Sequence, residues 1–160
     1  MQEMEIITLP HYEGLELPVS SKDNAGVDLR AAFEGEPVTL EPGEDVVIPS
    51  GLKVHIGSAK LHSHFIEIGL YGAIMPRSGL GFKHYVRLAN TTGVIDAGYL
   101  GEIMIKIRNE GHDKLTITRG DRICQMVFQL YMKDPTFKVV PEFTATTDRG
   151  ESGFGDSGVK

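Results

Sequence analysis

Apolar and polar residues alternate with a period of two in several short stretches of the chain. The clearest is Gly101-Glu102-Ile103-Met104-Ile105-Lys106-Ile107, followed by Lys114-Leu115-Thr116-Ile117 and Arg122-Ile123-Cys124-Gln125-Met126-Val127-Phe128. Asp45-Val46-Val47-Ile48 and Leu52-Lys53-Val54-His55-Ile56 are similarly rich in β-branched residues. That period sends successive side chains to opposite faces of an extended backbone, so each stretch predicts a strand. Turn signals separate them, among them Lys22-Asp23-Asn24, Glu41-Pro42-Gly43, Pro49-Ser50-Gly51, Asn109-Glu110-Gly111-His112-Asp113 and Arg119-Gly120-Asp121. Many short strands without intervening helical patterns predict an all-β fold, a sandwich or a barrel. A single short helix is expected after Pro76-Arg77, with Ser78 as its cap and an end near Tyr85. From Thr144 the chain turns polar and glycine-rich around one ring, Phe154. One domain over residues 1–143 is therefore expected, with a flexible C-terminal arm over 144–160.

Composition narrows the classes of function. At 160 residues and 41% hydrophobic content the chain can bury one core, and no apolar window has the length of a bilayer span. No membrane role is expected. With 16 Lys and Arg against 22 Asp and Glu, the net charge of −6 is the wrong sign for attraction to a phosphate backbone, so direct nucleic-acid binding is not expected. The lone cysteine, Cys124, rules out an intrachain disulfide framework and a multi-thiolate zinc site. The acidic start, Met1-Gln2-Glu3-Met4-Glu5, lacks the features of an export signal, and an intracellular, cytoplasmic protein is expected.

Five segments hold residues suited to chemistry. In Ala25-Gly26-Val27-Asp28-Leu29-Arg30-Ala31, Asp28 stands between apolar neighbours and needs partners. They are either nearby backbone and Arg30, or a magnesium ion contacted through water, since magnesium keeps several waters and takes few carboxylates beside substrate phosphates. In Pro76-Arg77-Ser78-Gly79-Leu80-Gly81, a guanidinium fork, a hydroxyl and backbone N–H groups form either an anion cradle or an ordinary capped turn. Asn90-Thr91-Thr92-Gly93-Val94-Ile95-Asp96-Ala97-Gly98-Tyr99 leads into the long alternating strand, and the pair reads as a hairpin. Asp96 then either initiates the turn or takes a proton from water beside a flat base held on open backbone groups. Gln125 is the polar exception on its strand, whereas Cys124 reads as a buried hydrophobe. Arg149 and Phe154 stand in a segment with the composition of either a closing flap or a disordered terminus.

In order and spacing, these five segments resemble the ordered motifs of the trimeric deoxyuridine triphosphate nucleotidohydrolases, the dUTPases. The resemblance covers Ala25 to Ala31, Pro76 to Gly81, Gly93 to Ile103, Gly120 to Phe128 and Arg149 to Gly158. It implies hydrolysis of dUTP at the α-phosphorus to dUMP and pyrophosphate, an activity that keeps uracil out of DNA and supplies dUMP for dTMP synthesis. It implies an antiparallel or mixed β-barrel of jelly-roll-like form, with Asp96 as general base. Asn90 and the backbone near Val94, Ile95 and Met104 would pair with uracil, and Tyr99 would exclude a ribose hydroxyl. Arg77, Ser78, Gly79 and Gln125 would hold the triphosphate, and Asp28 would contact Mg2+ through water. Arg149 would reach the terminal phosphate while Phe154 covers the base. Homotrimers with active sites shared between subunits are also implied.

Two features depart from that pattern. Ser152 and Asp156 replace the more usual Gly and His or Ser, and the stretch Gly57 to Tyr71 is longer than the usual connection. That stretch carries His62 and His64, and offers an extended hairpin and a place for a protein partner, as in some phage and bacterial members. The alternatives are a dCTP deaminase of the same fold and a non-catalytic regulatory module. Lys106 argues against the deaminase, which resembles this chain but carries a Glu there. The retained site residues argue against the module.

Overall fold

The computed structural model describes residues 4–57, 67–147 and 150. Its strands are β1 (Glu5–Thr8), β2 (Gly26–Arg30), β3 (Val38–Leu40), β4 (Asp45–Pro49), β5 (Leu52–His55), β6 (Ile68–Pro76), β7 (Val86–Leu88), β8 (Gly93–Ile95), β9 (Met104–Asn109), β10 (Leu115–Ile117) and β11 (Arg122–Met132). A 3-10 turn covers Pro10–Tyr12, and the one α-helix among the described residues, α1, covers Ser78–His84. Ladders run β2-β11-β6-β8, β4-β9-β7, β1-β5 and β10-β3, every one antiparallel. The arrangement is all-β, as the alternation predicts, and jelly-roll-like, as the resemblance implies.

Alternation decides which faces are buried. In β9, Ile105, Ile107 and Asn109 point inward while Met104, Lys106 and Arg108 face outward. These inward residues join Leu29, Ile48, Leu52, Ile56, Ile103, Ile123 and Met126, all essentially inaccessible to solvent, in one cluster fed by every sheet. Each such aliphatic side chain contributes about 1.5–3 kcal/mol through removal from water. Besides Ser50, the polar residue buried there among those described is Asn109. Its Nδ2 donates to Leu40 O at 3.0 Å and Asp113 O at 2.8 Å, and its Oδ1 accepts from Gly111 N at 3.0 Å. The turn after β9 is thus tied to the core by one amide.

β11 breaks strict alternation at its start, where Ile123 and Cys124 are both buried. A register shift against β2 between Arg122 and Cys124 accounts for this, because a bulge adds a residue and re-aims its neighbours. The turn before it depends on Gly120 at φ +90, a conformation that strains other residues. Farther along, β11 pairs with β6 from Cys124↔Pro76 to Met132↔Ile68. That ladder absorbs the described end of the long 57–71 stretch, where Tyr71 and Tyr131 meet edge to face at 6.0 Å and Lys133 pairs with Glu67 at 2.9 Å. His62 and His64 lie outside the described residues. From Lys133 to Thr147 no helix or strand forms, and Phe137, Val139 and Phe143 are almost fully exposed.

Two sequence expectations are corrected. Ser78 does not cap α1: Arg77 occupies the cap position in extended conformation, and Ser78 is the first helical residue. Nor do the strands on either side of Asp96 form a hairpin. β8 pairs with β6, whereas β9 pairs with β4 and β7, so residues 96–103 cross from one sheet to another. A local period sets a strand's faces but not its partner.

Candidate active site

The crossover leaves a cleft of about 240 Å³, lined by Asn90, Val94, Ile95, Asp96, Tyr99 and Met104 together with Ile74, Leu88, Gly93, Ile105 and Lys106. β8 is an edge strand, and β7 pairs with β9 only from Ile107 onward, extended by Ala89 N donating to Lys106 O at 2.9 Å, so β8 and Met104–Ile105 leave ladder-free backbone beside this region. A flat ligand with alternating donors and acceptors fits such walls as an added strand would. Close packing shapes one wall: a Cβ on Gly93 would lie 3.2 Å from Ile74 and 3.4 Å from the Asn90 amide.

At the mouth, Asp96 is exposed, and its carboxylate makes no hydrogen bond or ion pair among the described residues. Its carbonyl accepts from Tyr99 N at 3.0 Å, closing a tight turn. The Tyr99 hydroxyl donates to Glu102 O at 2.8 Å, and the ring lies over Gly101, where a Cβ would come within 2.5 Å of Oη. Glycine at 101 is therefore what lets the ring lie flat against the chain.

A second group gathers around Asp28. Its Oδ1 accepts from Arg77 Nε at 2.8 Å and its Oδ2 from Arg122 Nη1 at 3.1 Å. Arg30, the nearby partner considered from the sequence, pairs instead with Glu16 and donates to Gly120 O at 2.9 Å. Arg77 also donates from Nη1 to Arg122 O at 3.2 Å, which leaves Nη2 for an anion. The Ser78 hydroxyl has no cap to make, and a Cβ at Gly79 would meet nothing within 4 Å. Gln125 Nε2 donates to Pro76 O at 3.1 Å. Asp28, Arg77, Ser78, Arg122 and Gln125 line a wide depression of about 770 Å³. Arg122 escapes a sequence reading because it looks like the first residue of a core strand; the bulge turns it towards Asp28.

The two groups line separate depressions: Arg77 follows β6, the neighbour of β8, whereas Asp28 lies on β2, the opposite edge of that four-stranded sheet and three inter-strand steps, roughly 14 Å, from β8. Arg149 and Phe154, and with them Ser152 and Asp156, lie outside the described residues. Cys124 is no nucleophile, since burial first and the nearby Asp28 charge second push its thiol up to about 12.

For magnesium, both Asp28 oxygens already accept from arginine, and no cluster of three or more potential ligands occurs among the described residues. A carboxylate retains lone pairs beyond two such bonds. These residues therefore fit a hydrated ion held mainly by phosphate, and not a protein-built cage.

An antiparallel β-fold with a narrow cleft in one sheet-to-sheet crossing and an arginine-carboxylate cluster on the far edge defines a protein that holds a flat, anionic ligand. The dUTPase family profile matches residues 16–158, and this chain belongs to the dUTPase family. The chain is 40% identical to the deoxyuridine 5'-triphosphate nucleotidohydrolase of Enterobacter sp. (strain 638) over 163 aligned positions, 100% of this chain and 99% of that one. Among solved structures, Staphylococcus bacteriophage 80alpha dUTPase with dUPNHPP superposes with a TM-score of 0.80 at 29% identity, covering 99% and 100% of the two chains. A mutant dUTPase from phage phi11 of S. aureus, described with a structural Mg(II) ion, gives a TM-score of 0.70 at 26% identity over 90% and 100%.

Proposed function

We propose that this chain is a dUTP diphosphatase, cleaving dUTP to dUMP and pyrophosphate by attack of water on the α-phosphorus. The observation that carries the reading is the cleft between β8 and β9, whose walls offer unpaired backbone beside Asn90 and whose mouth presents the unpartnered Asp96. Uracil enters as a short added strand, pairing with Asn90 and with backbone at Val94, Ile95 and Met104. Cytosine presents a donor where uracil presents an acceptor and is rejected, because the wall group is then left unpaired. The Tyr99 ring stands where a ribose 2'-hydroxyl would project.

Asp96 accepts a proton from the attacking water as the new P–O bond forms, and the α–β bridging oxygen departs with pyrophosphate. Arg77 Nη2, the Ser78 hydroxyl, the Gly79 amide and Gln125 hold the triphosphate, Arg149 its terminal phosphate, and Phe154 stacks on the base. A hydrated Mg2+ beside Asp28 would neutralise phosphate charge and align the chain for in-line displacement. Because roughly 14 Å of sheet separates Asp28 from the cleft, one copy's cleft works with another copy's arginine cluster. This supports a homotrimer with shared sites, built from a domain over residues 1–143 and an arm over 144–160. The 57–71 stretch supplies none of the residues assigned to this chemistry and is assigned to a protein partner.

Lys106 opposes the deaminase reading: it lines the cleft with its Nζ 3.0 Å from Asp45, and supplies no acid for deamination. The test is pyrophosphate release from dUTP, dCTP, dTTP and UTP, with ammonia release from dCTP measured alongside. Pyrophosphate from dUTP alone is expected. In labelled water the heavy oxygen should appear in dUMP, and its appearance in pyrophosphate would reject attack at the α-phosphorus.

A further inference from the structure

The crossover that carries Asp96 and Tyr99 is anchored at its far end by contacts that the reaction itself does not use. Ser50 N donates to Ile103 O at 3.1 Å and Ile103 N to Leu52 O at 2.9 Å, so the backbone at residue 103 is pinned to the turn between β4 and β5. One residue earlier, Glu102 reaches out of the crossover with its side chain. Its Oε1 accepts from Gly51 N at 2.8 Å and from His11 Nε2 at 2.8 Å. His11 is itself held, since the 3-10 turn that carries it hydrogen-bonds to Arg119, whose Nη2 donates to His11 O and Glu13 O at 2.9 Å. Gly51 has little freedom: its φ is +69, and a Cβ there would lie 2.9 Å from Ala32 and Tyr12. Glu102 thus grips two fixed points with one oxygen. Its carbonyl meanwhile accepts the Tyr99 hydroxyl.

We infer that Glu102, braced by His11, is the positioning residue that sets the Tyr99 ring and so the rejection of ribonucleotides. The inference rests on the role of Tyr99 proposed above. The Glu102 carbonyl shares a rigid peptide plane with Ile103 N, which Leu52 O already holds, so what the side chain adds is a fixed Cα and with it the direction in which residues 96–101 leave that plane. With Oε1 on Gly51 N and His11 Nε2, Gly101 is held beneath the Tyr99 ring while the pinned carbonyl accepts Tyr99 Oη, and the ring sits at one depth. Without the grip, the 96–101 segment keeps the acceptor for Tyr99 but loses its fixed direction of approach to it. The ring then gains room, and the space closed to a 2'-hydroxyl opens. Neither Glu102 nor His11 lines the cleft.

The experiment compares kcat/KM for dUTP and UTP in the intact protein and in Glu102→Ala, His11→Ala, Glu102→Gln and Tyr99→Ala. Steric rejection of one added hydroxyl supplies roughly a hundredfold. Glu102→Ala is expected to lower the dUTP:UTP ratio about tenfold, and His11→Ala about threefold because Gly51 still holds Oε1. Glu102→Gln should restore the native ratio, since an amide oxygen accepts the same two donors. A merely structural role would lower both substrates together and leave the ratio unchanged. An unchanged ratio in Glu102→Ala and His11→Ala, with a lowered ratio in Tyr99→Ala, overturns the inference while preserving the role of Tyr99. An unchanged ratio in Tyr99→Ala overturns both. Should Glu102→Ala fail to fold, the half-exposed His11→Ala still decides the question.

Discussion

The cleft beside β8 and the cluster around Asp28 are built by different means, and in the proposed function they take different parts of one nucleotide. The cleft is walled by backbone and short side chains whose positions follow from strand register: Val94 opposite Ala73, Gly93 opposite Ile74. The cluster is made of long charged side chains, Arg77 and Arg122, steadied on one carboxylate. Backbone walls discriminate by shape and donor pattern and respond weakly to ionic strength. A charged cluster supplies attraction, and partly exposed charges are screened by salt. An acidic protein that binds an anion benefits from this division. Its unfavourable overall field is overcome only where the phosphates sit, and selectivity is left to a surface that carries little charge.

The sharpest way to break the comparison is at the mouth of the cleft, where the chemistry is assigned. Asp96→Asn should lower turnover by about a hundred- to ten-thousandfold in a pyrophosphate-release assay while a non-hydrolysable dUTP analogue still binds. Near-native turnover would remove Asp96 from the mechanism. On the other side, Arg77→Ala should cost about ten- to a hundredfold in kcat/KM for dUTP, the scale of one lost charged hydrogen-bonding group. The preference for dUTP over dCTP should remain. A collapse of base preference in that variant would show that the two regions are not separate.

Asn109 offers a control in the scaffold at the end of β9, away from the end that borders the cleft. Asn109→Ala leaves buried backbone partners unmet and should destabilise the fold by about 2 kcal/mol, or roughly thirtyfold in the folding equilibrium, read by denaturant unfolding. The folded fraction should keep native base selectivity. The smallest effect is expected from salt: raising it from about 0.05 to about 0.5 M should increase KM for dUTP about threefold and leave deoxyuridine binding unchanged. Equal sensitivity of the nucleoside and the triphosphate would contradict the division of labour.

Much of this architecture is legible in the amino-acid pattern. The stretches 45–48, 52–56, 114–117 and 122–128 form strands because alternating β-branched residues satisfy both a pleated backbone and a single buried face. The residues lining the cleft, from Asn90 through Met104, also stand out as a group along the chain. The expected hairpin shows where such reading stops. Val94-Ile95 and Met104-Ile105 look like natural partners across a short turn, yet each finds another strand, and the cleft exists because they do not pair. Short strands such as β3, β7 and β8 carry too few residues to reveal a period at all.

Motif order and spacing marked the residues proposed to hold a base, a sugar and phosphates, and local chemistry along the chain determined the all-β class and the buried faces. These depend on neighbours one to four residues apart, and a linear pattern records them. Tertiary structure alone decided that Asp28 pairs with Arg77 and Arg122 and not with Arg30, that Ser78 is freed from capping, and that Glu102 reaches His11 across the molecule. Such partnerships join residues up to 94 positions apart. They are set by ladder register and by a single bulge, which no local period encodes.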